Sequence, residues 1–105
     1  EVTEIQAHLV RETYKKFVTW WFFNQFRLAG VTGMKLKTEA IGDNVKYTLF
    51  IPITNDVDRT IFTTISITYD QLLPKLPKEF VQYGKVEDVD IRTSVRGKVG
   101  IVEVF

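Results

Sequence analysis

The chain has 105 residues, a net charge of +1 and no cysteine. This length suits one domain with one hydrophobic core, so we expect residues 1–105 to form a single unit. The absence of cysteine excludes disulfides and thiolate metal sites. The small net charge argues against nucleic-acid binding through whole-molecule charge, but it leaves local basic patches open.

The N-terminal part of the chain predicts one long helix. Thr3 and Gln6 fit a capping box, in which each side chain bonds a free backbone N–H of the other residue. Gly30 is a typical residue for ending such a helix. Helical spacing predicts one buried apolar stripe. The stripe comprises Ala7, Val10, Tyr14, Phe17, Val18, Trp21 and Leu28.

The second half of this helix is apolar nearly all round. Within residues 17–26, aromatic side chains also occupy the side that is polar in the first half. One interpretation is that both sides are internal to the fold. The other is that these side chains form a surface for a second subunit or another protein, since aromatic residues are enriched in interfaces. The predicted interface residues are Trp20, Phe22, Phe23 and Phe26.

Three segments with strand character follow and predict an antiparallel meander, because their connections are too short for parallel crossovers. The first runs from Met34 to Ala40 and the second from Val45 to Ile53, and side chains alternate in both. The third runs from Arg59 to Tyr69 and is rich in β-branched residues, which favour strands. Residues 54–58 are expected to form a polar hairpin tip between the last two.

The rest of the chain predicts a short broken helix and two more strands. Pro74 and Pro77 interrupt the helical spacing, so a turn or short helix is expected near 71–74 and a second near 77–83. The last predicted elements are a strand at 86–92, a hairpin turn at 94–97 and a closing strand at 98–105. The whole pattern predicts an α+β fold, with the long N-terminal helix packed on an antiparallel sheet of about five strands in the order α-β-β-β-α-β-β.

No catalytic site, metal site or cofactor is expected. His8 is the only histidine, falls on the polar side of the first helix and has no evident nucleophile partner. Asp56 and Asp58, like the acidic residues at 87–90, do not match a cation-binding loop. We therefore expect a non-enzymatic interaction domain, a homodimer or the binder of another protein, that associates through the aromatic helix surface.

A nucleic-acid-binding module is the alternative prediction. Arg92, Arg96 and Lys98 cluster around the last predicted turn, where Gly97 and Gly100 keep the backbone open. A basic hairpin of this kind can contact phosphates or bases. Lys35 and Lys37 would extend the patch if the first strand lies nearby. Phe50 and Phe62 are the candidates for stacking on bases, because their parity directs them away from the main apolar face.

The second alternative is a small apolar-ligand pocket between the helix and the sheet, lined by Trp21, Tyr47 and Ile65. No apolar run reaches the ~20 residues that a membrane-spanning helix needs. With no cysteine and no visible signal segment, a cytoplasmic location is expected.

Overall fold

A computed structural model describes residues 3–72 and 89–105. The protein is α+β, with a long N-terminal helix and an antiparallel sheet, as the sequence predicts. The described sheet has four strands rather than about five. The elements are helix α1 (Glu4–Leu28), strands β1 (Lys35–Ile41) and β2 (Asn44–Pro52), helix α2 (Asp56–Leu72), and strands β3 (Ile91–Arg96) and β4 (Val99–Val104).

The strands lie in the order β1-β2-β4-β3, and every neighbouring pair is antiparallel. Two hairpins, β1–β2 and β3–β4, therefore meet along β2 and β4, and β1 and β3 form opposite edges. Gly42 and Gly97 each begin a tight hairpin turn and have φ angles of 62° and 60°. Joining the chain ends would give the order β-α-β-β-α-β, so the described elements are a circular permutation of a ferredoxin-like arrangement.

The predicted start of α1 is confirmed. The Oγ1 atom of Thr3 accepts a hydrogen bond from the Gln6 backbone N–H at 3.1 Å, and the Thr3 N–H donates to Gln6 Oε1 at 3.0 Å. The predicted stripe is only partly right, because Phe17 and Leu28 are exposed. Steps of four residues rotate a helical stripe by about 40° each, so the buried side drifts around α1. Its buried residues are Ala7, Tyr14, Lys15, Val18, Thr19, Phe22 and Phe26.

The core lies between the two helices and one side of the sheet. α1 packs on β2 and β4, and α2 packs against α1. Phe26 of α1 stacks on Phe62 of α2 with the ring centroids 5.7 Å apart. The core residues from the strands are Tyr47, Leu49, Ile51, Val102 and Val104.

The strand predicted from Arg59 to Tyr69 is wrong, because this segment belongs to α2. The predicted hairpin tip is the start of this helix, where Asn55 Oδ1 accepts the Asp58 N–H at 2.8 Å. Thr and Ser residues disfavour helices partly because their hydroxyls compete for backbone groups. Here Thr68 donates its hydroxyl hydrogen bond to the Thr64 carbonyl, four residues earlier in the same helix, at 2.8 Å.

The later predictions are met in part. The broken helix predicted near 71–74 and 77–83 is not matched: α2 continues through Leu72, and residues 73–83 lie outside the described ranges. The strand predicted at 86–92 corresponds to β3, which extends to Arg96. The turn therefore falls at residues 97–98 rather than 94–97.

Candidate functional site

The predicted aromatic interface divides between the core and the surface. Phe22 and Phe26 are fully buried in the core, so these two side chains do not reach an exposed surface. Trp20 is 60% exposed, and Phe23 is half-buried beside it. The two rings meet edge to face, with their centroids 5.3 Å apart. Trp20 and Phe23 are therefore the members of the predicted set that a partner can reach.

Trp20 and Phe23 border a small apolar depression between α1 and the β1–β2 hairpin, which we call the aromatic groove. Its volume is about 100 Å³. Leu36 pairs with the buried Leu49 and so lies on the helix side of the sheet, yet it is 53% exposed. α1 therefore leaves the helix side of β1 uncovered. The groove is lined by Lys16, Thr19, Trp20, Phe23, Leu36, Tyr47 and Leu49.

Strand β1 is exposed on both of its faces. All seven of its residues are exposed, and β2 is its only neighbour among the described strands. Leu36, Thr38 and Ala40 lie on the helix side, and Lys35, Lys37 and Glu39 lie on the other side. An edge strand of this kind offers unpaired backbone groups to another strand.

The side of the sheet away from the helices forms a second surface, which we call the open face. Directly paired residues on neighbouring strands share a face, so the strand register shows which residues belong to this face. Along each strand they alternate with the residues that face the core. The open face comprises Lys35, Lys37, Glu39 and Ile41 of β1; Asn44, Lys46, Thr48, Phe50 and Pro52 of β2; Val99, Ile101 and Glu103 of β4; and Arg92, Ser94 and Arg96 of β3.

The basic residues singled out in the sequence occupy opposite edges of the open face. Lys35 and Lys37 lie on β1, whereas Arg92 and Arg96 lie on β3. Lys98 lies in the turn that follows β3. Arg96 and Lys98 therefore lie at the tip of the β3–β4 hairpin, Arg92 lies farther along β3, and β1 is too far away for its lysines to extend this cluster.

Apolar side chains lie between the basic edges. Phe50 and Ile101 pair directly across β2 and β4, and both are half-buried. Lys35 is the neighbour of Phe50 on β1, so a cation adjoins this ring within one row of the sheet. The parity prediction thus holds for Phe50, whereas Phe62 is buried on α2.

The predicted ligand-pocket residues do not share a cavity among the described parts of the chain. Tyr47 lines the aromatic groove, but Trp21 and Ile65 do not. Trp21 instead packs against Tyr69, with the ring centroids 5.6 Å apart. Ile65 is a buried member of the core.

Helical spacing predicts that Glu12 and Lys15 lie on the polar side of α1, yet the two residues form a buried ion pair. Lys15 is only 4% exposed, and its Nζ lies 2.8 Å from Glu12 Oε2. Glu12 Oε1 accepts the Val45 N–H at 3.1 Å, and Lys15 Nζ donates to the Val45 carbonyl at 3.2 Å. The pair therefore anchors the start of β2 to α1. The spacing of three residues between opposite charges was the available signal.

Two other titratable groups, Tyr69 and Asp58, have structural partners. Burial raises the pKa of Tyr69, as does the hydrogen bond with Tyr14, so the Tyr69 hydroxyl stays protonated at neutral pH. Hydrogen bonds from Thr54 lower the pKa of Asp58, which lies in the first turn of α2. Within residues 3–72 and 89–105, no group of three or more potential metal-binding side chains comes together.

No protein-family model matches the chain, and no curated protein is significantly similar to it in sequence. Neither α1 nor α2 is long and apolar enough to span a membrane.

Proposed function

We propose that the protein is a non-enzymatic interaction domain that self-associates through the aromatic groove and the adjoining edge of β1. The observation that carries the proposal is the exposure of Trp20 beside a strand that α1 leaves uncovered. Exposed apolar clusters mark interaction sites, and tryptophan is enriched among the residues that dominate binding energy.

The size of the aromatic groove favours a protein partner over a small ligand. Its volume of about 100 Å³ is well below the roughly 300–1,000 Å³ of typical small-molecule sites. The groove is also shallow enough to leave Trp20 and Leu36 more than half exposed. A flat surface laid over both side chains would bury them, which a small molecule in the groove would not do.

Strand β1 is complementary to a second copy of itself. When two β1 strands run antiparallel across a two-fold axis at Thr38, Lys37 lies opposite the partner's Glu39, and Glu39 lies opposite the partner's Lys37. Moving the axis to Lys37 sets the two Lys37 side chains against each other, and moving it to Glu39 does the same for Glu39. Charge complementarity therefore selects the Thr38-centred register.

The same pairing brings the two aromatic grooves together. The β2 strands of the two copies would lie three strand spacings, or about 14 Å, apart. Because α1 packs on β2, the two α1 helices would be at least as far apart as the β2 strands. Helices in direct contact lie only about 8–10 Å apart, so large side chains must fill the space that is left above the paired β1 strands. Trp20 and Phe23 border that space on each copy, together with Leu36.

Light scattering across a dilution series tests the proposal. The wild-type protein is expected to have the mass of a dimer at high concentration and to dissociate on dilution. Trp20→Ser should raise the dissociation constant about tenfold or more, because the removed ring lies at the centre of the contact. Lys37→Glu should weaken the dimer about tenfold through like-charge pairs, and the double variant Lys37→Glu/Glu39→Lys should restore it.

Leu28→Ser is the matched control, because Leu28 is 71% exposed on the same helix but does not line the groove. This variant should dimerise like the wild type. A protein that is monomeric at every concentration contradicts the proposal. A dimer that tolerates both Trp20→Ser and Lys37→Glu has its interface elsewhere, which also rejects the proposal.

A further inference from the structure

The open face carries a pattern that self-association at β1 does not use. Its centre is apolar at Phe50 and Ile101, and its edges are basic at Lys35 and Arg96. We infer that this face binds single-stranded nucleic acid, with a base stacked on Phe50 and phosphates contacting the flanking cations. Aromatic platforms inside basic surfaces bind single strands because every base has a face that can stack.

The flanking cations are available to phosphates. Lys35 and Arg96 are exposed, and neither forms an ion pair with a residue in the described ranges. Arg92 differs, because its Nη2 lies 2.8 Å from Asp90 Oδ2. Arg92 therefore has less free charge to offer a phosphate than Arg96 has.

Two acidic residues, Glu39 and Glu103, line the same hollow of the open face as Phe50. Glu103 Oε2 is held by Lys46 Nζ at 2.9 Å, which neutralises it. Glu39 pairs with Lys46 across β1 and β2, two rows away from the row of Lys35 and Phe50. The row of Phe50 and the next row, which ends at Arg96, contain no acidic side chain.

The shape of the face favours single strands over a duplex. Its four strands span about 14 Å from β1 to β3, which is wider than the DNA major groove of about 12 Å. The face also has a shallow hollow of about 220 Å³, whose lining includes Phe50 and Ile101. An unpaired base can lie flat against this hollow, whereas the bases of a duplex are already stacked.

The inference does not depend on the proposed dimer. A two-fold axis perpendicular to the sheet at Thr38 places both open faces on the same side of the joined sheet, where both remain exposed. A monomer exposes the face equally. Failure of one proposal therefore leaves the other standing.

Fluorescence anisotropy with labelled oligo-dT and oligo-U of about 12 nucleotides tests the inference. At low salt we expect saturable binding of at least one oligonucleotide with a Kd of about 10⁻⁵ M, and a log–log salt slope of about −2 for roughly three phosphate contacts. Phe50→Leu should weaken binding about fivefold with an unchanged slope, because it removes the ring and leaves the charges. Phe50→Trp should retain binding, because it restores a stacking surface.

Arg96→Ala should weaken binding and reduce the magnitude of the salt slope by about 0.7. The matched control is Arg27→Ala, which removes an exposed cation from α1, on the other side of the sheet. This control should bind like the wild type. Thermal unfolding checks that each variant is folded.

Three results would overturn the inference. The first is no binding of either oligonucleotide at low salt. The second is a duplex of the same length binding as tightly as the single strands. The third is a Phe50→Leu variant that is folded and binds with wild-type affinity, because the ring would then have no part in binding.

Discussion

The hydroxyl groups of Tyr14 and Tyr69 lie 3.0 Å apart in the core, where one donates a hydrogen bond to the other. The two residues are 55 positions apart in the chain, and their contact joins α1 to α2. Tyr69 also packs on Phe22, with the ring centroids 5.0 Å apart. A buried hydroxyl needs a partner, so each tyrosine fixes the position of the other.

Tyr69→Phe should lower the free energy of unfolding by about 1–2 kcal/mol, because it removes the buried hydrogen bond between the two hydroxyls. Tyr14→Phe should have a similar effect. The double variant should lose less than the sum of the two, because both single changes remove the same hydrogen bond. Urea unfolding at one protein concentration, followed by tryptophan fluorescence, measures all three. Strict additivity would mean that the two hydroxyls do not stabilise each other.

The same pair predicts a loss of stability in alkali. Burial raises the pKa of both Tyr14 and Tyr69 above the ordinary value of 10.0. Above pH 10 the unfolded chain loses these protons while the folded protein keeps them. Stability is therefore fully present below pH 10 and falls above it, by up to about 1.4 kcal/mol per pH unit for each tyrosine.

Urea midpoints between about pH 9 and about pH 11 measure this decline. The variant with both residues changed to Phe is the control and should decline less steeply than the wild type over that range. Equal slopes in the two proteins would show that these tyrosines ionise alike in the folded and unfolded chains.

The sequence pattern predicts α1 with its cap, the β1–β2 hairpin and the α+β class, but it displaces the last hairpin and predicts a strand where α2 lies. Phe62, Ile65 and Tyr69 have helical spacing, and all three are buried on one side of α2. The same segment alternates in β-branched residues, so local propensity favoured a strand. Packing of that helical stripe against α1 outweighs the strand propensity of the segment. This packing depends on α1, which is distant in the sequence.

The candidate site was predictable in composition but not in arrangement. Trp20 and Phe22 are two positions apart on an aromatic helix, yet one is exposed and the other is buried. The side of α1 that faces the sheet depends on how far the buried stripe drifts around the helix. This drift depends on how α1 packs against the sheet and α2. Likewise, Lys35 and Arg96 belong to the same face only because the sheet order places β1 and β3 at its two edges.

Glu12→Gln should destabilise the protein by about 1–3 kcal/mol, because it leaves the charge of Lys15 buried without its counter-ion. The partial exposure of the Glu12 side chain keeps the effect below that of a fully buried pair. The change should also speed hydrogen exchange at the Val45 amide, which donates to Glu12. Urea unfolding and amide exchange measured by NMR test the two effects.

The exposed carboxylate of Asp43 provides the matched control, since it lies in the turn that precedes β2. Asp43→Asn should change stability by less than about 0.5 kcal/mol, because it alters an exposed side chain away from the core. Equal effects of the two substitutions would argue that burial of the Glu12–Lys15 pair has no energetic consequence.

Gly100→Ala should destabilise the protein by about 1–3 kcal/mol through overpacking. The sequence suggested that Gly100 keeps a hairpin backbone open, but this residue is buried beneath α2. A Cβ atom there would lie 2.6 Å from two ring atoms of Phe62 and 3.0 Å from Ile53 Cδ1. The aromatic ring is packed into the core and cannot move aside without disturbing its stack with Phe26.

Phe62→Leu removes the ring atoms that the added methyl group would meet, so it provides the decisive second variant. Alone it should cost about 1–2 kcal/mol through lost packing, and combined with Gly100→Ala it should cost clearly less than the sum of the two changes. Gly97→Asn serves as the control in the same hairpin, because Gly97 has open space around it and asparagine tolerates its positive φ of 60°. Urea unfolding of the four proteins gives the coupling. A Gly100→Ala variant as stable as the wild type would mean that α2 packs less closely on β4 than these contacts require.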